Sequence, residues 1–337
     1  MIIKTFRRFS QITLIALNLC GLFLAMHVVV KAFDNDAFAA TSLSETLATL
    51  FDFDADGRAD ISVFRPSNGV WYRINSANNS FSAIQFGLST DRIAPADYDG
   101  DRKTDIAVFR QTLTNPYLAY FYILNSSNGA LRVEQFGEAG DSPVPGDWDG
   151  DGKADIAVYT QLLGIPEAPP PPGFFSYRPS SNPSGSKVTI GVNPGGISVP
   201  GDYDGDGKQD AGVFTYTGGI WLIRQSSNNT LRTVQFGLNS DKPVPADYDG
   251  DSKTDIAVFR SGTWYILNSS NNRFTGVQFG FATDKPVPAD YDGDGNADIA
   301  VYRDGTWFLL RSSAGFTAVQ FGFPTDVPVP TAYLWQY

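Results

Sequence analysis

One acidic nonapeptide returns six times along this chain of 337 residues, and no other feature restricts the fold as strongly. Asp-Tyr-Asp-Gly-Asp begins at residues 97, 202, 247 and 290, and close variants begin at 52 and 147. Successive starts are 45, 50, 55, 45 and 43 residues apart. A period in the forties is the length of one propeller blade of four short strands. The fifth copy shows the plan. Pro243-Val244-Pro245-Ala246 leads into the acidic loop, and Asp255-Ile256-Ala257-Val258-Phe259-Arg260 follows it. Thr263-Trp264-Tyr265-Ile266-Leu267 carries the aromatics, and after an Asn/Ser turn a last run ends Val277-Gln278-Phe279-Gly280. Runs of about five residues between turn residues predict four strands per copy. The predicted fold is therefore all-β: a propeller of six four-stranded blades, with the acidic loop between the first and second strand of each. A seventh blade would have to be assembled from both termini. Val327-Pro328-Val329-Pro330 begins one more repeat, but Thr331-Ala332-Tyr333-Leu334-Trp335 replaces its acidic loop. This extra strand is expected to pair near the N-terminus and close the ring, as closure removes exposed sheet edges.

Within each nonapeptide, aspartate holds positions 1, 3, 5 and 9. The candidate metal ligands are Asp52, Asp54, Asp56 and Asp60; Asp97, Asp99, Asp101 and Asp105; Asp147, Asp149, Asp151 and Asp155; Asp202, Asp204, Asp206 and Asp210; Asp247, Asp249, Asp251 and Asp255; and Asp290, Asp292, Asp294 and Asp298. Alternate residues of a tight loop point toward one centre, and oxygen ligands at 1, 3 and 5 are how an EF-hand loop holds calcium. Four carboxylates within nine residues repel one another unless a cation lies among them. Position 9, at the start of a strand, takes the place of the EF-hand's final glutamate. The expected cofactor is Ca2+, about six ions. Position 6 is glycine in four loops (Gly57, Gly152, Gly207, Gly295), but Arg102 and Ser252 stand there in the other two.

The charge of the chain agrees. Its formal net charge is −11, nearly all of it from aspartate. Residues 1–39 carry four basic and two acidic side chains, so without them the charge is −13, and six divalent ions bring it to −1. Such a composition excludes a nucleic-acid partner, which demands basic patches. Extracellular calcium modules bind with Kd of roughly 10⁻⁴–10⁻³ M, so six sites at millimolar calcium contribute about 2–8 kcal/mol by linkage. A whole domain's net stability is about 5–15 kcal/mol.

The N-terminus reads as an export signal. Lys4, Arg7 and Arg8 precede an apolar run over residues 12–30, and Ala37-Phe38-Ala39 offers a cleavage site. The run is long for a signal peptide and nearly spans a bilayer, so residues 1–39 are either a cleaved signal peptide or a membrane anchor. The mature protein, 40–337, is expected outside the cell, secreted or at the surface. Cys20 and His27 are the only cysteine and histidine, and both lie in this leader. A mature chain without them has no disulfide, no thiolate or imidazole zinc site, and no Ser-His-Asp or Cys-His catalysis.

Asp-x-Asp-x-Asp-Gly-x-x-Asp, together with Phe86-Gly87, Phe136-Gly137, Phe236-Gly237, Phe279-Gly280 and Phe321-Gly322, resembles the FG-GAP/VCBS repeat family. The resemblance covers roughly residues 45–337. That family includes the calcium-loop propellers of integrin α-subunit heads and certain lectins. The resemblance implies adhesion, carbohydrate binding or a scaffold role outside the cell, but fold alone does not fix activity.

Three functions compete at this level. A carbohydrate- or polymer-binding module would use the recurring aromatics Trp71, Phe121, Phe175, Trp221, Trp264 and Trp307 as stacking faces; the plainer expectation is that they fill the space between blades. The recurring Arg65, Arg110, Arg260 and Arg303 could grip an acidic ligand, but pairing with nearby carboxylates is the plainer expectation. A structural or protein-binding surface scaffold fits the proline-rich insertion at 165–172 in the third copy, which cannot join a sheet ladder. A polysaccharide-degrading enzyme is the least favoured: no catalytic residue is assigned, because the aspartates outside the loops (Asp91, Asp141, Asp241, Asp284, Asp326) recur and read as turn residues, whereas an active site needs an asymmetric cluster. A monomeric ring is expected, touching a membrane only through an uncleaved N-terminal segment.

Overall fold

Continuous apolar runs in the second strands and alternating ones in the third give the chain surfaces to bury, and six short sheets result. The computed structural model describes residues 50–112, 114–161 and 171–332, all within a unit that begins at Ser44. The expected signal or anchor at 1–39, residues 165–170 of the proline-rich insertion and Tyr333-Leu334-Trp335 lie outside the described residues. Among those described, no helix is long and apolar enough to cross a membrane.

Six antiparallel sheets of four strands form the six expected blades. In the fifth, Lys242–Pro243, Ile256–Arg260, Thr263–Leu267 and Phe274–Gln278 pair in chain order. The first blade is assembled from both ends of the chain. Its first strand is Val327–Pro328, which pairs antiparallel with Ile61–Arg65 through Val63 opposite Pro328 and Phe64 opposite Val327. The expected closing strand is therefore observed, and no seventh blade is present among the described residues. Where the acidic loop is missing from this last partial repeat, the chain turns through a short 3-10 segment at Val329–Thr331.

The second strands are buried nearly throughout, as Ile256-Ala257-Val258-Phe259 shows. The repeated aromatics of the third strands are core. Trp221, Trp264 and Trp307 are fully buried, as are Phe121 and Phe175, and Trp71 is 4% exposed. Trp264 lies edge-on to Phe259 at 5.4 Å, in a cluster that includes Val301 of the next blade. Its indole N–H donates to the Phe279 carbonyl at 2.9 Å, and Trp71, Trp221 and Trp307 make the same bond to Phe86, Phe236 and Phe321. The Phe-Gly pair thus has a duty: its phenylalanine carbonyl satisfies a buried indole. Its glycine turns the chain at positive φ against the next blade. A Cβ on Gly280 would stand 3.1 Å from Val301, and one on Gly322 3.3 Å from Val63, back in the first blade.

Antiparallel order decides the two faces of the ring. The acidic loops, between first and second strands, share one face with the turns between third and fourth strands. The connections between blades and the turns between second and third strands share the other.

Candidate metal centre

The first aspartate of each loop is gripped by the loop's own backbone. In the fourth loop, Gly205 N–H donates to Asp202 Oδ1 at 2.6 Å and Gly207 N–H to Oδ2 at 2.8 Å. Both donors stand at positive φ, 83° each. All six loops repeat this conformation at positions 4 and 6, whether or not glycine is there: Ala55, Arg102 and Ser252 take φ of 64°, 68° and 65°. The left-handed turn aims the amides inward, and non-glycine residues bear a cost for it.

Position 9 closes the loop from the other side. Asp255 is fully buried, accepting Tyr248 N–H at 2.9 Å on one oxygen and Ser269 N–H at 2.6 Å on the other. The equivalent pairs recur at Asp60, Asp105, Asp155, Asp210 and Asp298. These carboxylates therefore carry a structural load as well as any metal. Burial pushes Asp60, Asp105, Asp155, Asp210 and Asp255 up to about 6 and Asp298 to about 7, the amide hydrogen bonds offsetting only part of it. Asp247, at position 1, is likewise raised by burial to about 6.

Serines after the third strand complete the cradle, and the sequence reading missed them. Ser269 Oγ donates to Asp251 Oδ1 at 2.8 Å and Ser270 Oγ to Asp249 Oδ2 at 2.5 Å. Ser126-Ser127, Ser180-Ser181, Ser226-Ser227 and Ser312-Ser313 do the same for their own loops. The recurrence of a serine pair just beyond five of the six third strands, with Ser76-Ala77 after the first, was the available signal.

One acceptor in this well-satisfied cradle is left over. Asp54, Asp99, Asp249 and Asp292, all at position 3, each keep Oδ1 buried with no hydrogen-bond partner. A buried carboxylate oxygen without a donor is costly, and a cation is the group that would satisfy it. The neighbouring carboxylates converge on the same place. One oxygen each of Asp52, Asp54 and Asp60 lie within 4.8 Å of one another, and so do sets from Asp97, Asp99 and Asp101; Asp147, Asp149 and Asp155; Asp202, Asp204 and Asp206; and Asp247, Asp249 and Asp251. An all-oxygen set of this kind suits a hard divalent ion such as calcium. Loop 1 differs in having Arg58 paired with Asp56 through Nε at 2.9 Å and through Nη2. Burial opposes ionisation of Asp56, but the Arg58 contact and the Ser76 hydroxyl outweigh it and hold the carboxyl below its usual value.

Each loop is also tied to the next. The position 8 amide donates to the position 1 carbonyl of the preceding loop: Thr104 to Asp52, Ala154 to Asp97, Gln209 to Asp147, Thr254 to Asp202 and Ala297 to Asp247, at 2.6–2.8 Å. Ala59 to Asp290, at 2.7 Å, completes the circle.

The recurring arginines do not face a ligand. Arg110, Arg260 and Arg303 pair through two bonds each with Asp91, Asp241 and Asp284, nineteen positions earlier, at 2.6–2.8 Å. Arg65 pairs with Asp326. The aspartates first read as turn residues are these partners, and they do hold the turn: Asp241 Oδ2 also accepts Leu238 N–H at 2.8 Å. In the third blade Thr160 replaces the arginine and donates to Asp141 at 2.6 Å.

A six-bladed ring of acidic-loop repeats defines the class: a repeat propeller with a row of candidate cation sites on one face. FG-GAP-like repeats are matched at residues 52–108 and 247–301, and the remaining copies keep the same acidic loop, with Ile190-Gly191 in place of Phe-Gly in the third, so the chain is an FG-GAP/VCBS-type repeat propeller. No curated protein matches the sequence. Among solved structures, it is similar to an Agrocybe aegerita lectin that recognises non-reducing terminal N-acetylglucosamine, at 16% identity and TM-score 0.49, over 79% of this chain and 90% of that one. It is similar to a Synechocystis apocarotenoid oxygenase mutant at 12% identity and TM-score 0.40, over 84% and 76%. A chain of a mitotic checkpoint complex is similar at 13% identity and TM-score 0.43, over 82% and 84%. None of these likenesses bears on ligand or activity.

Proposed function

We propose that this protein is an exported propeller whose six loops bind calcium, and that the metal-stiffened ring serves as a binding or adhesion module for carbohydrate or another surface polymer. The observation that carries the metal reading is the buried, donorless Oδ1 of Asp54, Asp99, Asp249 and Asp292, the first three each within a convergent set of carboxylates. All 24 loop aspartates take part, with positions 1, 3 and 5 as the main ligands and position 9 as the clamp beneath them. Calcium, when bound, supplies charge neutralisation and stiffness; no residue is assigned a catalytic role.

The binding role is supported by the face opposite the loops. Leu238, Phe281, Phe323 and Leu88 follow the Phe-Gly pairs at four successive blade junctions and are 51–61% exposed. Arg303 lies 4.0 Å beneath the Phe281 ring and Arg65 4.1 Å beneath Phe323. Apolar side chains repeated on one face supply area that a partner could cover. With the recurring tryptophans buried, the aromatic side chains exposed for stacking on this face include Phe281, Phe323, Tyr117 and Tyr216. The second reading, a protein-binding or purely structural surface scaffold, draws on the same exposed side chains.

A glycan and polysaccharide array in millimolar calcium and again in EDTA tests the proposal. Calcium-dependent binding to one sugar class supports it. A folded, calcium-loaded protein that binds none overturns the carbohydrate role and leaves the scaffold reading.

A further inference from the structure

The bonds between loops have a consequence that no single loop shows. We propose that the six acidic loops take up divalent cation as one coupled ring, so that filling one loop raises the affinity of its neighbours. This rests on the metal reading above and goes beyond it, since six separate sites would satisfy that reading equally well.

The coupling path is short and is the same at every junction. In the fourth loop, the Asp202 carboxylate is held by Gly205 and Gly207, while the Asp202 carbonyl accepts the Thr254 amide of the fifth loop at 2.6 Å. Thr254 directly precedes Asp255, the clamp of that fifth loop. One hydrogen bond therefore joins a ligand residue of one loop to the residue beside the clamp of the next. A cation that orders the first loop fixes the acceptor, and the second loop then has less freedom left to lose when it binds.

Side chains reinforce the contact. At position 7, Lys253 lays its stem across Gly205, where a Cβ would come within 2.7 Å of it, and Lys153 and Lys208 cross Gly100 and Gly150 in the same way. Arg58 crosses Gly293, carrying the contact over the junction between chain ends. The circle of bonds has no break, so no loop is an end site. Repulsion between bound ions works in the opposite direction, but at physiological salt it is screened over about 8 Å, whereas the hydrogen bond acts at contact.

Calcium titration of the full chain, freed of metal with EDTA and then of the chelator, tests this by calorimetry with free Ca2+ as the probe. Coupling gives a steep isotherm, with a Hill coefficient of about 2 or more, if each junction is worth about fivefold in affinity. Asp204→Asn, which removes a ligand from the fourth loop only and so breaks the two junctions beside it, then moves the median midpoint of the remaining ions to about 1.4-fold higher calcium, most of it in the two adjacent loops, and flattens the curve. A hyperbolic or shallower wild-type isotherm overturns the coupling, as does an Asp204→Asn curve that loses one ion and leaves the others unmoved. The wild-type slope decides the matter even where the variant fails to fold. Absence of any calcium binding overturns the metal reading itself, a result distinct from independent binding.

Discussion

Arg65 and Asp326 stand 261 positions apart and form a two-pronged ion pair, Nε to Oδ1 at 2.8 Å and Nη2 to Oδ2 at 2.9 Å. Asp326 is fully buried, and the guanidinium lies between the rings of Tyr72 and Phe323, 4.4 and 4.1 Å away. The same pair holds three other blade junctions with its members only nineteen residues apart. Ring closure therefore uses the ordinary junction of this protein, built from the two ends of the chain.

Arg65→Met should cost about 2–4 kcal/mol, because it strands a buried carboxylate that keeps only the Phe323 amide. Arg110→Met, at an internal junction, should cost a similar amount. Urea unfolding in EDTA measures both. A loss at Arg110 with none at Arg65 would show that the ends are not joined in solution.

Positions 3 and 9 of a loop should respond differently to the same change. Asp249→Asn keeps an acceptor for Ser270 and should leave metal-free stability within about 0.5 kcal/mol, while the bound calcium falls by one ion. Asp255→Asn turns an amide donor toward a buried N–H and should cost about 2–3 kcal/mol even without metal. Paired unfolding curves and calcium counts on the two variants check this division of labour.

Acid should replace calcium in part. The position 9 carboxyls have folded values raised by burial to about 6, and to about 7 for Asp298, above the ordinary 3.8. A raised carboxyl favours the folded state below 3.8 and loses that contribution as pH rises through 6 to 7. The metal-free protein should therefore gain melting temperature as pH is lowered from 7.5 toward 5. Calcium requires the ionised form, so its own stabilisation should be largest above pH 7 and shrink below 6. Melting temperatures at several pH values, with and without calcium, give both slopes; a calcium effect that grows on acidification would refute the account.

Ser252 is held at φ 65° where four other loops have glycine at the same position. Ser252→Gly relieves a left-handed residue and should stabilise by about 0.5–1 kcal/mol, after allowing for the freer unfolded chain. Gly207→Ala, the reverse change in the neighbouring loop, should destabilise by about 1 kcal/mol. Opposite shifts in the urea midpoint are the expected result.

Much of this was legible beforehand because the information repeats. Six copies of one loop made the blade length, the acidic positions and the Phe-Gly turn visible without any structure, and the spare Val327-Pro328 announced the closing strand. The arginine partners were harder to see. Asp91 to Arg110, Asp241 to Arg260 and Asp284 to Arg303 share one offset, but Asp326 has no residue nineteen places on that could be read in line, since its partner lies at the other end of the chain. The serine hydroxyls lie 18 to 32 residues from the carboxylates they bind, and a hydroxyl in a turn gives no sign of what it faces.

By itself, the sequence determined the blade and its number, because strand alternation, turn chemistry and the spacing of carboxylates are local and each was written six times. Only the tertiary structure decided which side chains those blades bury and which they leave outside. Trp264 could have been a binding face, and it became core because the next blade's Val301 closes over it. Asp249 could have been one more solvated turn residue. It became a candidate ligand because the serines, amides and neighbouring loops satisfy nearly every polar atom around it and leave Oδ1 without a donor. Burial and hydrogen-bond completion are properties of segments brought together from distant parts of the chain, and no single repeat contains them.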